Sequence, residues 1–295
     1  MYNYVVTRIP SGSDMEEIMI KLIASDIDGT LVRESSHEIS HEYFKVIRDL
    51  ADVGITFCAC SGRQYQSMLD LFKPVSDIIY FISGNGTILR TVDKVIHFWK
   101  IEEDLVIPIV EAVRKIDGAS MVFETLDMAY VEDGEDSAIM KLMRDEYHYA
   151  IENVDDLTSL PLDSVVKIAV WHAEVETATR ELRNDPRFAQ LSMTVSGANW
   201  LDIMAGEAGK GEAFALLQAL LDVKQEETVY FGDNLNDLSA FKETGVAVTV
   251  ASARQEMKDA ADIVERSVAQ MGVLRELRNI LGHKRDYIEA SEEKK

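Results

Sequence analysis

Apolar residues along this chain gather in short runs, too brief for helices, and stretches with helical spacing lie between them. Residues 20–25, 55–60 and 78–83 read as buried strands, and residues 41–51 and 64–72 as the helices that join them. Ser40 is placed to cap the first helix, Gly54 to stop it, and Pro74 to end the second. The opening eighty-odd residues therefore spell strand, helix, strand, helix, strand, which is the alternation of a doubly wound parallel sheet.

From residue 87 the texture changes. Residues 87–100 read as a hairpin, 104–116 as a helix, and 120–132 as two strands about a turn. A helix near 136–147, a strand at 165–171, a helix at 174–184 and strands at 190–195 and 200–204 follow. This mixed, partly antiparallel block predicts a second, α+β domain. The first pattern then resumes with a helix at 211–221, a strand at 228–231, a helix at 236–244 and a strand at 246–249. Residues 254–260, 262–264 and 270–281 finish the sheet and its cover. The expected architecture is an α/β core, residues 19–86 and 205–295, interrupted by a cap, residues 87–204. Residues 1–18 are expected to be a disordered extension or a start-site artefact.

Composition agrees with an ordinary globular chain of 295 residues: 47% hydrophobic, with only five Pro and sixteen Gly. The 52 acidic against 30 basic residues leave a net charge of −22, which argues against sequence-independent binding to nucleic acid or an anionic membrane. No apolar stretch is long enough for a transmembrane helix. Cys58 and Cys60, the only two cysteines, read as small buried residues of one strand face. With no signal-peptide pattern at the start, a cytoplasmic location is expected.

Chemistry in an open parallel sheet is expected beyond the carboxyl ends of its strands. Four polar clusters fall there in this reading. They are Asp26-Ile27-Asp28-Gly29-Thr30, Ser61-Gly62-Arg63, Gly209-Lys210-Gly211 and Gly232-Asp233-Asn234-Leu235-Asn236-Asp237. Residues two apart in an extended segment point the same way, so Asp26 and Asp28 can address one small site. With Asp233 and Asp237 they make four carboxylates at one sheet edge, a set that repels itself unless a hard cation such as Mg²⁺ occupies it.

In order and content, these four motifs closely resemble the haloacid dehalogenase-like phosphatases, in particular the Cof-type branch with a large α/β cap. The resemblance spans roughly residues 20–281, and Ser83-Gly84-Asn85-Gly86 is similar to that family's crossing into the cap. It implies a Rossmann-like core and a Mg²⁺-dependent phosphatase acting on a small phosphorylated metabolite, such as a sugar phosphate. Asp26 would be the nucleophile that becomes phosphorylated. Asp28 would protonate the leaving oxygen and then activate water. Mg²⁺ would be held by Asp26, the backbone carbonyl of Asp28 and Asp233. Asp237 would be a further ligand or would orient Lys210. Ser61, Gly62, Lys210 and Asn236 would cradle the phosphate. Cap motion is also expected, with hinges near residues 84–86 and 205–209.

Electrostatics makes the cations necessary. A carboxylate approaching a phosphate of nearly two negative charges at about 4 Å, with an effective dielectric near 20, meets repulsion of roughly 8 kcal/mol. Some details depart from the family pattern. Ser61 stands where Thr is common, which preserves the hydroxyl, and Ala251-Ser252-Ala253 lacks the usual Asn-Ala pair. Arg63 stays open between a structural ion pair and a role near the site.

Competing motifs carry less. His37-Glu38-Ile39-Ser40-His41 matches H-E-x-x-H, but that zinc motif needs one continuous helix, and Ser40 as a cap would separate the two histidines. Residues 206–211 fail as a P-loop, since Gly211 stands where Ser or Thr is required. Asp233 to Asp237 is no calcium loop, because Leu235 occupies a ligand position. Phe98, Trp99, Met121, Phe123, Met140, Met143 and Trp171 read as cap core. The alternatives on the same scaffold are a phosphomutase, or a phospho-metabolite-binding regulator without catalysis.

Overall fold

The first strand, Leu22–Asp26, is buried at all five positions, so side chains on both of its faces must be covered by other elements. A computed structural model describes residues 19–33, 36–196 and 198–292. The extension expected at residues 1–18 lies outside the described residues. The described residues form two compact units: one holds those up to Ala59, Phe72–Tyr80 and those from Phe214 onward, the other Cys60–Leu71 and those within Phe81–Ala213.

In the first unit, strands Ile263–Glu265, Val246–Val250, Thr228–Phe231 and Leu22–Asp26 lie side by side in that order, all parallel. Register sets Ser25 opposite Phe231 and Phe231 opposite Val248, so neighbouring strands end within two residues of one another. Helix His41–Asp52 starts where Ser40 accepts the Glu42 N–H, and its buried Tyr43, Phe44, Val46, Ile47 and Leu50 form one face at helical spacing. That face packs on the terminal helix Gly272–Glu292, with Arg278 paired to Glu42 across the contact. Gly54 follows in a left-handed conformation, φ +79°, which stops the helix as expected. His37 lies before this helix and His41 is its first residue, so the H-E-x-x-H string never shares one helical face.

The second unit holds a six-stranded sheet in the order Leu191–Val195, Trp200–Ala205, Lys167–Trp171, Ser120–Glu124, Ala129–Val131, Ile151–Asn153. All pairs are antiparallel except the last. One face carries Met121, Phe123, Ile168, Val170, Leu201 and Ile203 and packs with helices Glu103–Val113 and Val175–Arg183. The other face buries Val122, Ala129, Val131 and Ala169 with Ile139, Met140 and Met143. Met121, Phe123, Met140 and Met143 are thus core, as expected, whereas Phe98 is 38% exposed. The hairpin Ile88–Arg90 with Val95–Phe98 also belongs to this unit. The helix expected over residues 136–147 is a short turn of α-helix, Ala138–Lys141, followed by a wider turn, Leu142–Glu146. The strand Ile151–Asn153 has no counterpart in the sequence reading, because three residues are too few to show a period.

Candidate active site

Asp26 ends its strand 5% exposed, and the chain turns at once: Leu31 and Val32 donate to the carbonyl of Ile27. Gly29 makes the turn possible with φ +82°. A Cβ there would sit 2.3 Å from Oδ2 of Asp233, so the backbone passes directly against that carboxylate. Thr30 adds a hydrogen bond from Oγ1 to Oδ1 of Asp233 at 2.7 Å. Asp28 rides on this turn, half-buried.

The strand Thr228–Phe231 delivers the second loop. Its anchor is Asp237, fully buried, which accepts the Tyr230 hydroxyl on Oδ1 at 3.0 Å and the N–H groups of Asp233 and Asn234 on Oδ2 at 3.2 and 3.3 Å. Gly232 lets the loop fold over this group, since a Cβ there would meet Cβ and Cγ of Asp237 at 2.6 Å. Asn234 caps the turn by accepting the Leu235 N–H, and Asn236 follows half-buried. The helix expected at 236–244 is therefore reduced to Leu238–Lys242, because the preceding residues are committed to this turn.

Asp26, Asp233 and Asp237 come together: each offers a carboxylate oxygen within 4.8 Å of the others. Three anions this close repel strongly unless countered, and a purely oxygen donor set suits a hard divalent ion. The residues present thus fit Mg²⁺. The hydrogen bonds already made by Asp237 favour a supporting role for it and leave Asp26 and Asp233 as the better direct donors.

The other sequence-predicted residues belong to the second unit. Ser61 follows the strand Thr56–Cys60, donates its N–H to Ile82 and accepts the Arg63 N–H on Oγ at 3.1 Å. The loop is tied to the turn at Gly84–Gly86, where Asn85 donates to the Ser61 carbonyl and Gly84 to that of Arg63. Gly86 has φ +99° and lies against the Gly209–Lys210 backbone so closely that a Cβ would overlap it at 2.1 Å. Lys210 is the first residue of the helix Lys210–Leu221 and is buried.

Sequence reading missed a buried ionic cluster in the same unit. Glu124 and Lys167 are directly paired across neighbouring strands, their side chains 2.7 Å apart, and Asp202 lies 3.7 Å from the ammonium on the same sheet face. Burial opposes the charge on Lys167, but Asp202 and Glu124 outweigh it and hold the lysine above its usual range. Burial pushes Glu124 up, against the pull of Lys167. It likewise raises Tyr149, with the Glu124 charge adding to it. The signal was a single charge interrupting each apolar strand, at Glu124, Lys167 and Asp202. In a sheet with one wet face such alternation is the ordinary solvent pattern, so it drew no notice.

A family model described as haloacid dehalogenase-like hydrolase matches residues 23–277. The 5-amino-6-(5-phospho-D-ribitylamino)uracil phosphatase YcsE of Bacillus subtilis strain 168 is 27% identical, over 90% of this chain and 97% of its own. An HMP-PP phosphatase of Enterobacter sp. strain 638 is 24% identical, over 81% of this chain and 87% of its own. A crystal structure from Eubacterium rectale is 34% identical with a TM-score of 0.80, covering 88% of this chain and 99% of that one. Its sequence, its fold and the acidic loops at its strand ends agree on one assignment: the chain belongs to the haloacid dehalogenase-like hydrolases, within their Cof-type branch.

Proposed function

We propose that this enzyme is a Mg²⁺-dependent phosphatase of small phosphorylated metabolites that passes the phosphoryl group through Asp26. The observation that carries the reading is the convergence of Asp26, Asp233 and Asp237 within 4.8 Å at the ends of neighbouring parallel strands. Asp26 attacks phosphorus in line as the bond to the leaving oxygen breaks, and Asp28 gives that oxygen its proton. Asp28 then takes a proton from water, which attacks the acyl phosphate and frees inorganic phosphate and Asp26. Bound Mg²⁺ would be held by Asp26, Asp233 and the Asp28 carbonyl, and would offset the charge of the phosphoryl group. Asp237 keeps the Asp233 backbone in place through the hydrogen bonds it accepts. Ser61, Gly62, Asn236 and Lys210 bind phosphoryl oxygens in this reading.

The same reading takes residues 19–86 and 205–295 as catalytic core and residues 87–204 as a cap that selects the leaving group. The two curated relatives share a phosphoryl group on a small metabolite and differ in the rest of their substrates, so the class carries over and the identity does not. The burial of both cysteines, Cys58 and Cys60, and a net charge of −22 agree with a cytoplasmic metabolite enzyme. No helix among the described residues is long and apolar enough to cross a membrane.

A panel of phosphorylated metabolites and an aryl phosphate, assayed for inorganic phosphate with Mg²⁺, tests the reading. Phosphate release without isomerised product is expected. Isomerisation without release would make the enzyme a mutase, and specific ligand binding without any turnover would make it a regulator.

A further inference from the structure

Besides its ion pairs with Glu124 and Asp202, the ammonium of Lys167 has a backbone partner: it donates to the carbonyl of Gly62 at 3.1 Å. Tyr149 donates to the same oxygen at 3.4 Å. That carbonyl belongs to the Gly62–Arg63 peptide, whose N–H points the opposite way because the peptide is trans, and there it donates to Oγ of Ser61 at 3.1 Å. One rigid peptide plane is thus held at both ends, by a buried cation on one side and the Ser61 hydroxyl on the other. With an Oγ lone pair already taken by the Arg63 N–H, the Ser61 proton is kept off that side of the oxygen. A cation on the carbonyl also polarises the N–H across the plane and strengthens its bond to Oγ.

We infer that Lys167 is a positioning residue for the phosphate-binding loop, acting through the Gly62–Arg63 peptide to aim the Ser61 hydroxyl proton at a phosphoryl oxygen. This rests on the phosphatase reading above. Neighbouring contacts serve the same end. Gln64 pairs with the Ala150 backbone through both ends of its amide, at 3.0 and 2.8 Å, and fixes the loop's far side. Asn85, which binds the Ser61 carbonyl through its N–H, gives its side-chain amide to Asp202 at 3.3 Å. A buried ion cluster is a weak source of stability, since apolar residues of similar size would serve as well. Its value here is direction: Glu124 and Asp202 keep Lys167 charged and hold it over one carbonyl.

The test is a double-mutant cycle between Lys167→Met and Ser61→Ala, reading kcat, KM and inhibition by inorganic phosphate. With Ser61 present, Lys167→Met is expected to weaken phosphate inhibition and to lower kcat/KM by about tenfold, the worth of one charge-assisted hydrogen bond. In the Ser61→Ala background the same change is expected to cost less than about twofold, because contacts in one network are not additive. Independent, multiplicative losses would overturn the inference and leave Lys167 a structural residue. Should Lys167→Met fail to fold, Tyr149→Phe removes the weaker donor from the same carbonyl. A smaller loss in phosphate inhibition is then expected, again absent without Ser61, and an unchanged Tyr149→Phe enzyme would overturn the inference. A wild-type enzyme that releases no phosphate from any substrate removes the phosphatase reading itself and the inference with it.

Discussion

Asp237 is the buried post on which the acidic loop hangs, and its removal can be graded. Its carboxylate accepts hydrogen bonds from the Tyr230 hydroxyl and from the N–H groups of Asp233 and Asn234, at 3.0 to 3.3 Å and with no solvent contact. Asp237→Asn can keep its carbonyl toward the two N–H groups and turn its amide nitrogen to the Tyr230 oxygen, but the buried Tyr230 O–H then loses its acceptor. That lost bond and the ionic share of the other two, partly offset by no longer burying a charge, make a net loss of about 2 kcal/mol. Asp237→Leu leaves the buried Tyr230 hydroxyl and the part-buried N–H groups of Asp233 and Asn234 without this acceptor, a loss of about 4 kcal/mol. Tyr230→Phe removes one donor and costs about 1 kcal/mol. Urea unfolding midpoints of the three variants should therefore fall in the order Tyr230→Phe, Asp237→Asn, Asp237→Leu. An Asp237→Leu protein as stable as Asp237→Asn would refute the claim that this carboxylate organises the loop.

Other outcomes follow from the same geometry. Gly29→Ala should cost about 1–2 kcal/mol for its left-handed φ and push Asp233 aside, so Mg²⁺-dependent activity should require more metal in a titration. Asp28→Asn should lower kcat by about a hundredfold or more while inorganic phosphate still inhibits, since it removes proton transfer and leaves the phosphate-binding groups in place. In the second unit, a hydrogen bond from Arg114, joined by those from Thr158, holds the Asp156 carboxyl down at about 2 against a usual 3.8. The stability this pairing confers is complete above the unfolded value and is lost as pH falls from about 3.8 through 2. Arg114→Met should return the Asp156 midpoint toward 3.8 in an NMR titration, and an unmoved midpoint would exclude the pairing.

Much of this was legible in the chain, for physical reasons that differ by element. The parallel strands announce themselves because both of their faces are buried, so Leu22–Asp26 opens on three consecutive apolar residues and Thr228–Phe231 ends on three. Ser40 and Gly54 marked the ends of their helix because each does something few residues can: one caps an N-terminus, the other takes a positive φ. The grouping of Asp26 with Asp233 and Asp237 followed from where parallel strands end. What stayed hidden depends on long-range register. Glu124, Lys167 and Asp202 stand on separate strands, and only the pairing of Glu124 with Lys167, and of Asp202 with Ala169, gathers them. Short elements also escaped, as Ile151–Asn153 did, because a three-residue strand is set by its neighbour and not by its own pattern.

The central claim is that Asp26 carries the phosphoryl group. It is tested most directly by rapid quenching of the enzyme with a substrate labelled at phosphorus, followed by peptide mapping. A transient, base-labile label is expected on the peptide containing Asp26, formed and lost at rates compatible with turnover and absent from Asp26→Asn. Phosphate release at the wild-type rate by Asp26→Asn, or turnover with no label ever on the protein, would contradict it.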